Sequence, residues 1–255
     1  MQLTDLPLFQ TDLFVPSYQA FRQGAWELRV SGLNLVPGYW SGTVLVQGMA
    51  ALQRGGETWM SMTPYEIESQ EIGVRLSHGH VLIHGLGMGW SALVCALRPE
   101  VTAVTVVERD PDVIAIYEAI GVANQLFDAD RRKIRIVESD AFTYRPTSHV
   151  DVMMPDIWHP LVSDGRVQEV QRLQANAGAT SVYFWGQEME IARHARAAGR
   201  AIDDAGIAAT IADFKLPLIG PAFADYSSKV ATVAERWMRN RWLGPLRPSE
   251  AAGGV

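Results

Sequence analysis

Two hydrophobic rhythms divide the chain. Up to about residue 75, short apolar and β-branched runs at 26–30, 43–47 and 58–62 are separated by Gly38, Gly42 and the Gly55-Gly56 pair, the pattern of hairpin strands and their turns. This stretch predicts a small β-hairpin element rather than a second core. Beyond Gly79, short apolar runs alternate with segments of helical period, which predicts parallel strands joined by right-handed crossovers. Strands are predicted at 81–84, 103–108, 134–138, 150–154 and 181–185, with helices between them and over 188–205 and 223–242. Asp110 is placed to cap a helix, Pro111 suits its first turn and Gly121 its end. The expected layout is a β-rich element over 1–75, a doubly wound, mostly parallel α/β domain over 76–243, and a tail from 244 whose prolines and paired glycines predict fraying.

Composition narrows the function classes. The 255 residues suffice for one α/β domain with an appended module. Lys and Arg number 22 against 28 Asp and Glu, a net charge of −6, so neither nucleic acid nor an anionic membrane is an expected partner. The single cysteine, Cys95, rules out an internal disulfide and fits a reducing, cytoplasmic setting. The first ten residues lack the basic start and apolar stretch of a secretion signal. Residues 76–97 are uncharged apart from their histidines and include four glycines, which predicts strand, turn and helix rather than a membrane span. His78, His80 and His84 have no acidic residue spaced to complete a metal site and read as structural. The basic run Arg131-Arg132-Lys133 reads as a solvated turn.

Candidate chemistry gathers at the predicted strand ends. His84-Gly85-Leu86-Gly87-Met88-Gly89 follows a strand and opens a helix, where glycines allow a sharp turn and close approach of backbone to a ligand. Glu108, followed by Arg109, ends the next strand, where a carboxylate can accept from ribose hydroxyls. Position 90 is Trp90, so the third glycine of a dinucleotide fingerprint is absent. Asp140-Ala141-Phe142 ends the third strand, offering a carboxylate to an adenine amino group and apolar neighbours to its ring. Asp156 follows the fourth. Ligands of open α/β sheets bind beyond such ends.

These residues, with Pro155-Asp156-Ile157-Trp158, resemble the class I S-adenosylmethionine-dependent methyltransferases, and 42–48 with 56–66 resemble the hairpin lead-in of their spermidine synthase-like branch. The resemblance spans roughly residues 25–215. It implies a Rossmann-like fold, S-adenosyl-L-methionine as cofactor, and a homodimer. It also implies that Asp156 is the catalytic aspartate and Tyr65 a tyrosine gating the substrate. Spermidine synthases carry an aspartate where this chain has Met88 and a second acid where it has His159. Both departures remove negative charge. Without the loop acid an intact methionine carboxylate is not repelled, and a buried diamine has fewer carboxylates to offset its desolvation.

The expected activity is therefore methyl transfer to a small-molecule acceptor, with Asp156 or His159 handling its proton and Trp158 and Trp185 as candidate pocket walls. Glu188 either faces the cleft or only favours the start of a helix. Aminopropyl transfer from decarboxylated S-adenosylmethionine and non-catalytic adenosyl binding are the alternatives.

Overall fold

The structure, a computed structural model, describes residues 6–239 and 241–243. The N-terminal part holds β1 (Phe21–Gln23), β2 (Trp26–Val30), β3 (Leu33–Pro37), β4 (Thr43–Gln47), β5 (Ala50–Arg54) and β6 (Glu57–Ser61), followed by the helix α1 (Pro64–Leu76). Then come β7 (Gly79–His84), α2 (Trp90–Ala96), β8 (Val101–Glu108), α3 (Pro111–Ile120), α4 (Asp128–Arg131), β9 (Ile134–Glu138) and β10 (Val152–Pro155). The chain continues through α5 (Arg166–Ala177), β11 (Ser181–Val182), α6 (Gln187–Ala197), α7 (Asp204–Phe214) and α8 (Tyr226–Val233). The expected frayed tail from 244 lies outside the described residues.

The five later strands form one parallel sheet in the order β11-β10-β7-β8-β9. Its middle strands are continuous apolar runs, with Val81, Leu82, Val104, Val106, Val152 and Met153 at zero exposure, as expected of strands covered on both faces. Strand order reverses between β7 and β10, so the crevice beyond these two strand ends is the switch point where open α/β sheets bind ligands. The fold class expected from the hydrophobic pattern is the one observed.

The N-terminal strands pair antiparallel as β1-β2-β5-β6, with β3 and β4 as a separate hairpin. Hydrogen bonds fasten them to the parallel-sheet part: Trp26 Nε1 donates to Asp110 Oδ2 at 2.8 Å, and Gln23 Nε2 to Asp112 Oδ1 at 3.0 Å. Both acceptors stand at the start of α3, where Asp110 also caps the helix by accepting from Asp112 N, Pro111 opens the first turn and Gly121 closes it in the left-handed region. Among the described residues no helix is long and apolar enough to cross a membrane.

Three expected helices differ. The gap between β9 and β10 holds only turns and bends where a helix is expected. The helix expected over 188–205 stops at Ala197, because Gly199 turns the chain with a φ of +69°, and α7 begins only at Asp204, where Asp203 caps its start by accepting from Gly206 N. The stretch 223–242 shortens to α8 followed by one wider helical turn, Ala234–Met238. The strand expected at 181–185 narrows to β11. Tyr183 N and Trp185 N still donate to Met153 O and Pro155 O.

Candidate functional site

A cavity of about 210 Å³ opens beyond the ends of β7, β8, β9 and β10. At its floor Gly85 has a φ of +95°, and a Cβ there would collide with the carbonyl oxygen of Asp156. Asp156 N donates to His84 O at 2.8 Å, so the two strand tips are locked side by side. Glu108, at the end of β8, takes Leu86 N on Oε2 at 2.9 Å and Arg109 N and Asp110 N on Oε1 at 2.8 and 2.9 Å. A carboxylate offers about four acceptor sites. Glu108 thus organises the glycine turn and keeps roughly one site for a ligand hydroxyl, where two bonds were expected. Asp140 accepts from Phe142 N at 2.7 Å and lines the cavity together with Ala141 and Phe142.

Asp156 lines the same cavity, with Oδ2 accepting from Gln70 Nε2 at 2.7 Å. Burial pushes its carboxyl up to about 7, helped by the Glu108 charge and opposed by the nearby Arg166 and the Gln70 bond. Glu66, which the sequence pattern did not single out, also reaches the cavity. Its Oε2 accepts from Ser61 N at 2.8 Å and Ser61 Oγ at 3.0 Å, and burial, followed by the Asp156 charge, raises it to about 8. Both side chains are enclosed by protein yet keep part of their surface open to the cavity.

The walls above come from the N-terminal strands, with Trp26, Leu52, Arg54, Trp59 and Met60, and from the segment after β10 with Trp158. Trp158 is held on two sides: its Nε1 donates to Glu169 Oε2 at 2.7 Å, and the Arg166 guanidinium stacks 4.0 Å from its ring centre. Arg166 itself has no exposed surface. It donates to Pro160 O, Leu161 O, Trp185 O and Ser163 Oγ at 2.7–3.3 Å, fixing the segment that carries Asp156 and Trp158.

Of the expected site residues, Gly85, Leu86, Gly87, Glu108, Arg109, Asp140, Ala141 and Asp156 come together around the cavity. The others do not line it. Met88 is fully buried with its side chain in the core, so it is not the neutral replacement for a charged loop group that the resemblance implied. His84 is buried, and that burial lowers its ring to about 4. The face of Gly89 is closed by the Tyr117 ring. Tyr65 packs edge-on between Tyr39 and Trp237, at 5.3 and 4.7 Å. His159 turns outward, its Nε2 2.9 Å from Thr58 O and its ring against Trp59, which keeps it off the cavity lining. Trp185 is buried and donates to Ser69 Oγ, and Glu188 sits in a buried tyrosine cluster.

The residues missed, Glu66 and Gln70, stand one turn apart on α1. Thr63-Pro64-Tyr65-Glu66 has the form of a helix-capping box, and Thr63 Oγ1 does accept from Glu66 N. In such a box the glutamate turns back onto its own helix start. Here the carboxylate reaches Ser61 instead, which points it at the cleft.

No model of a known protein family matches the chain, and no curated protein matches its sequence. Similar solved structures include the methyltransferase domain of bacterial CtHen1-CN, at 16% identity over 46% of this chain and 65% of that one, with a TM-score of 0.38. The glycopeptide N-methyltransferase MtfA complexed with S-adenosyl-L-methionine matches at 16% identity over 43% of this chain and 48% of its own, with a TM-score of 0.33. The 23S rRNA methyltransferase ErmE matches at 16% identity over 46% of this chain and 44% of its own, with a TM-score of 0.35. The similarity spans less than two thirds of each of these chains.

Proposed function

We propose that the cleft binds S-adenosyl-L-methionine and serves methyl transfer to a small acceptor. The observation that carries this is the convergence of Glu108, Asp140 and Asp156, from three successive strand tips of the parallel sheet, on one cavity. The donor set fits an adenosyl group: Glu108 keeps an acceptor site for a ribose hydroxyl, Asp140 suits the adenine amino group, and Val113, Ala141 and Phe142 give its ring an apolar bed. When bound, the sulfonium supplies an already electrophilic methyl group, so the protein's part is alignment and removal of one proton. Asp156 serves at that end. Gln70 holds its Oδ2, and Oδ1, without a hydrogen bond among the described residues, orients the acceptor and takes its proton. Trp59, Met60 and Trp158 supply an apolar, aromatic wall for the acceptor.

A second reading, aminopropyl transfer from decarboxylated S-adenosylmethionine, is favoured by the acidic character of the cleft. Glu66, Asp156 and Glu169 line it, an arrangement that attracts an ammonium and repels a methionine carboxylate. In the glycine turn, Leu86 N and Met88 N are already engaged by Glu108 and the Met60 sulfur, leaving few N–H groups for that carboxylate. Calorimetry with both donors decides. Methyl transfer predicts tighter binding of S-adenosyl-L-methionine, and a preference for the decarboxylated donor replaces it with the second reading. Binding of neither donor removes both readings.

A further inference from the structure

Glu66 and Asp156 reach the cavity from different elements, α1 and the tip of β10. Each is anchored through a single oxygen, Glu66 Oε2 by Ser61 and Asp156 Oδ2 by Gln70. Neither Glu66 Oε1 nor Asp156 Oδ1 has a hydrogen-bond partner among the described residues, so both remain available to a ligand. Gln70 and Glu66 share one face of α1, so a single helix holds one carboxyl of the pair and supplies the other.

We propose that Glu66 is a specificity residue: with Asp156 it forms an anionic end of the cleft that distinguishes a charged sulfonium donor from its uncharged thioether product, and releases a proton to solvent as the donor enters. This rests on the donor-binding reading above but holds for either transferred group, since both donors are sulfonium ions. The reason is electrostatic. Two enclosed carboxyls that line one cavity and repel each other's charge resist double ionisation, and a cation bound in that cavity lessens the resistance. The pair takes up its two charges in separate steps, in line with carboxyls raised to about 7 and about 8.

Other charged groups lining the cavity are Arg54 on β5, Glu108 at the end of β8, Arg109 and Asp110 after it, Asp140 after β9 and Glu169 on α5. Arg166 stands behind Trp158 and lowers Asp156, whereas Glu108 raises it. Among these groups only Asp156 acts resolvably on Glu66. Glu66 is thus coupled to the rest of the cleft through Asp156, and the Glu66 variant isolates its share of the proton.

The test is calorimetry of S-adenosyl-L-methionine and S-adenosyl-L-homocysteine binding in two buffers of different ionisation enthalpy, across the range from about pH 6 to about pH 9. With the sulfonium ligand, the wild-type protein is expected to release up to about one proton near the middle of that range. Affinity rises with pH as the pair ionises. The thioether is expected to show neither effect from this pair.

Glu66→Gln keeps the shape and removes one charge. It is expected to lose most of the release and to weaken the sulfonium ligand about tenfold at the alkaline end, with thioether affinity within about twofold of wild type. The ligand's amino group titrates alike with both proteins, so the difference between them is the readout. Unchanged thioether binding also establishes that the variant is folded. Equal proton release by wild type and Glu66→Gln, or equal weakening of both ligands, overturns the proposal while leaving the donor-binding reading standing. Failure of both ligands to bind wild type overturns the two together.

Discussion

Glu108 carries three backbone N–H groups on its two oxygens, those of Leu86, Arg109 and Asp110. Its replacement therefore acts on the turn as well as on any ligand. Glu108→Ala is expected to destabilise the fold by about 2 kcal/mol, since donors in a partly enclosed turn lose their acceptor. Adenosyl ligands are expected to bind at least about tenfold more weakly. Chemical denaturation and calorimetry read the two effects separately, and unchanged binding would show that this carboxylate is structural only. Glu108, Asp140 and Asp156 were legible in the sequence because each follows a short apolar run at the point where a parallel strand ends. Glu66 and Gln70 were not. On α1 the buried positions include Glu68, Ser69 and Gln70 alongside Ile67, Ile72 and Val74, so no polar stripe separates a solvent face from a core face, and nothing in the pattern marks which polar residues face a cavity. Met88 misled for the opposite reason: its position in the glycine turn suggested a cleft residue, but the turn aims its side chain into the core.

Among the elements, the glycine turn between β7 and α2 sets how closely the strand tips can approach. Gly85 combines positive φ with an approach to the Asp156 carbonyl that leaves no room for a side chain. Gly85→Ala must both strain the backbone and push the β10 tip away, a cost of roughly 2–4 kcal/mol. The displaced tip carries Asp156, so ligand affinity should fall along with melting temperature. A variant with wild-type melting and binding would mean that the two loops are not locked together. The parallel strands were readable from hydrophobic runs because both faces of the sheet are buried. The division into α6 and α7 was also written, in Gly199 and Asp203, but apolar periodicity over 188–205 runs through the break and hides it. The helix α1 was absorbed into a β-rich N-terminal reading, although Thr63 and Pro64 mark its start.

At the scale of the whole molecule, one buried cluster joins the N-terminal part, the parallel sheet and the C-terminal helices. Glu188, at the start of α6, has no exposed surface and meets the hydroxyls of Tyr39 at 3.4 Å and Tyr183 at 3.1 Å. The Tyr183 hydroxyl also lies 2.9 Å from Ser69 O, an acceptor that cannot donate. A tyrosine has one proton. If it goes to Ser69 O, the Tyr183–Glu188 contact is a hydrogen bond only when Glu188 is protonated and donates. Burial raises Glu188 to about 7, against bonds from its own backbone and from tyrosine hydroxyls that favour the ion. The folded protein therefore holds this proton more tightly than the unfolded chain, in which the carboxyl ionises near its usual 4.5. Between those values the unfolded state binds fewer protons, so stability is greatest on the acid side and falls as pH rises toward about 7. Above that the penalty is constant. Glu188→Gln keeps a neutral donor and acceptor in place. It is expected to flatten this fall and to be the more stable protein at pH 8, by on the order of 2 kcal/mol and a melting temperature several degrees higher. The contrast should close toward pH 5. Thermal melts of both proteins across that range measure it. A variant that is less stable than wild type at every pH would mean that Glu188 is buried as an anion, with the tyrosine hydroxyls all donating to it.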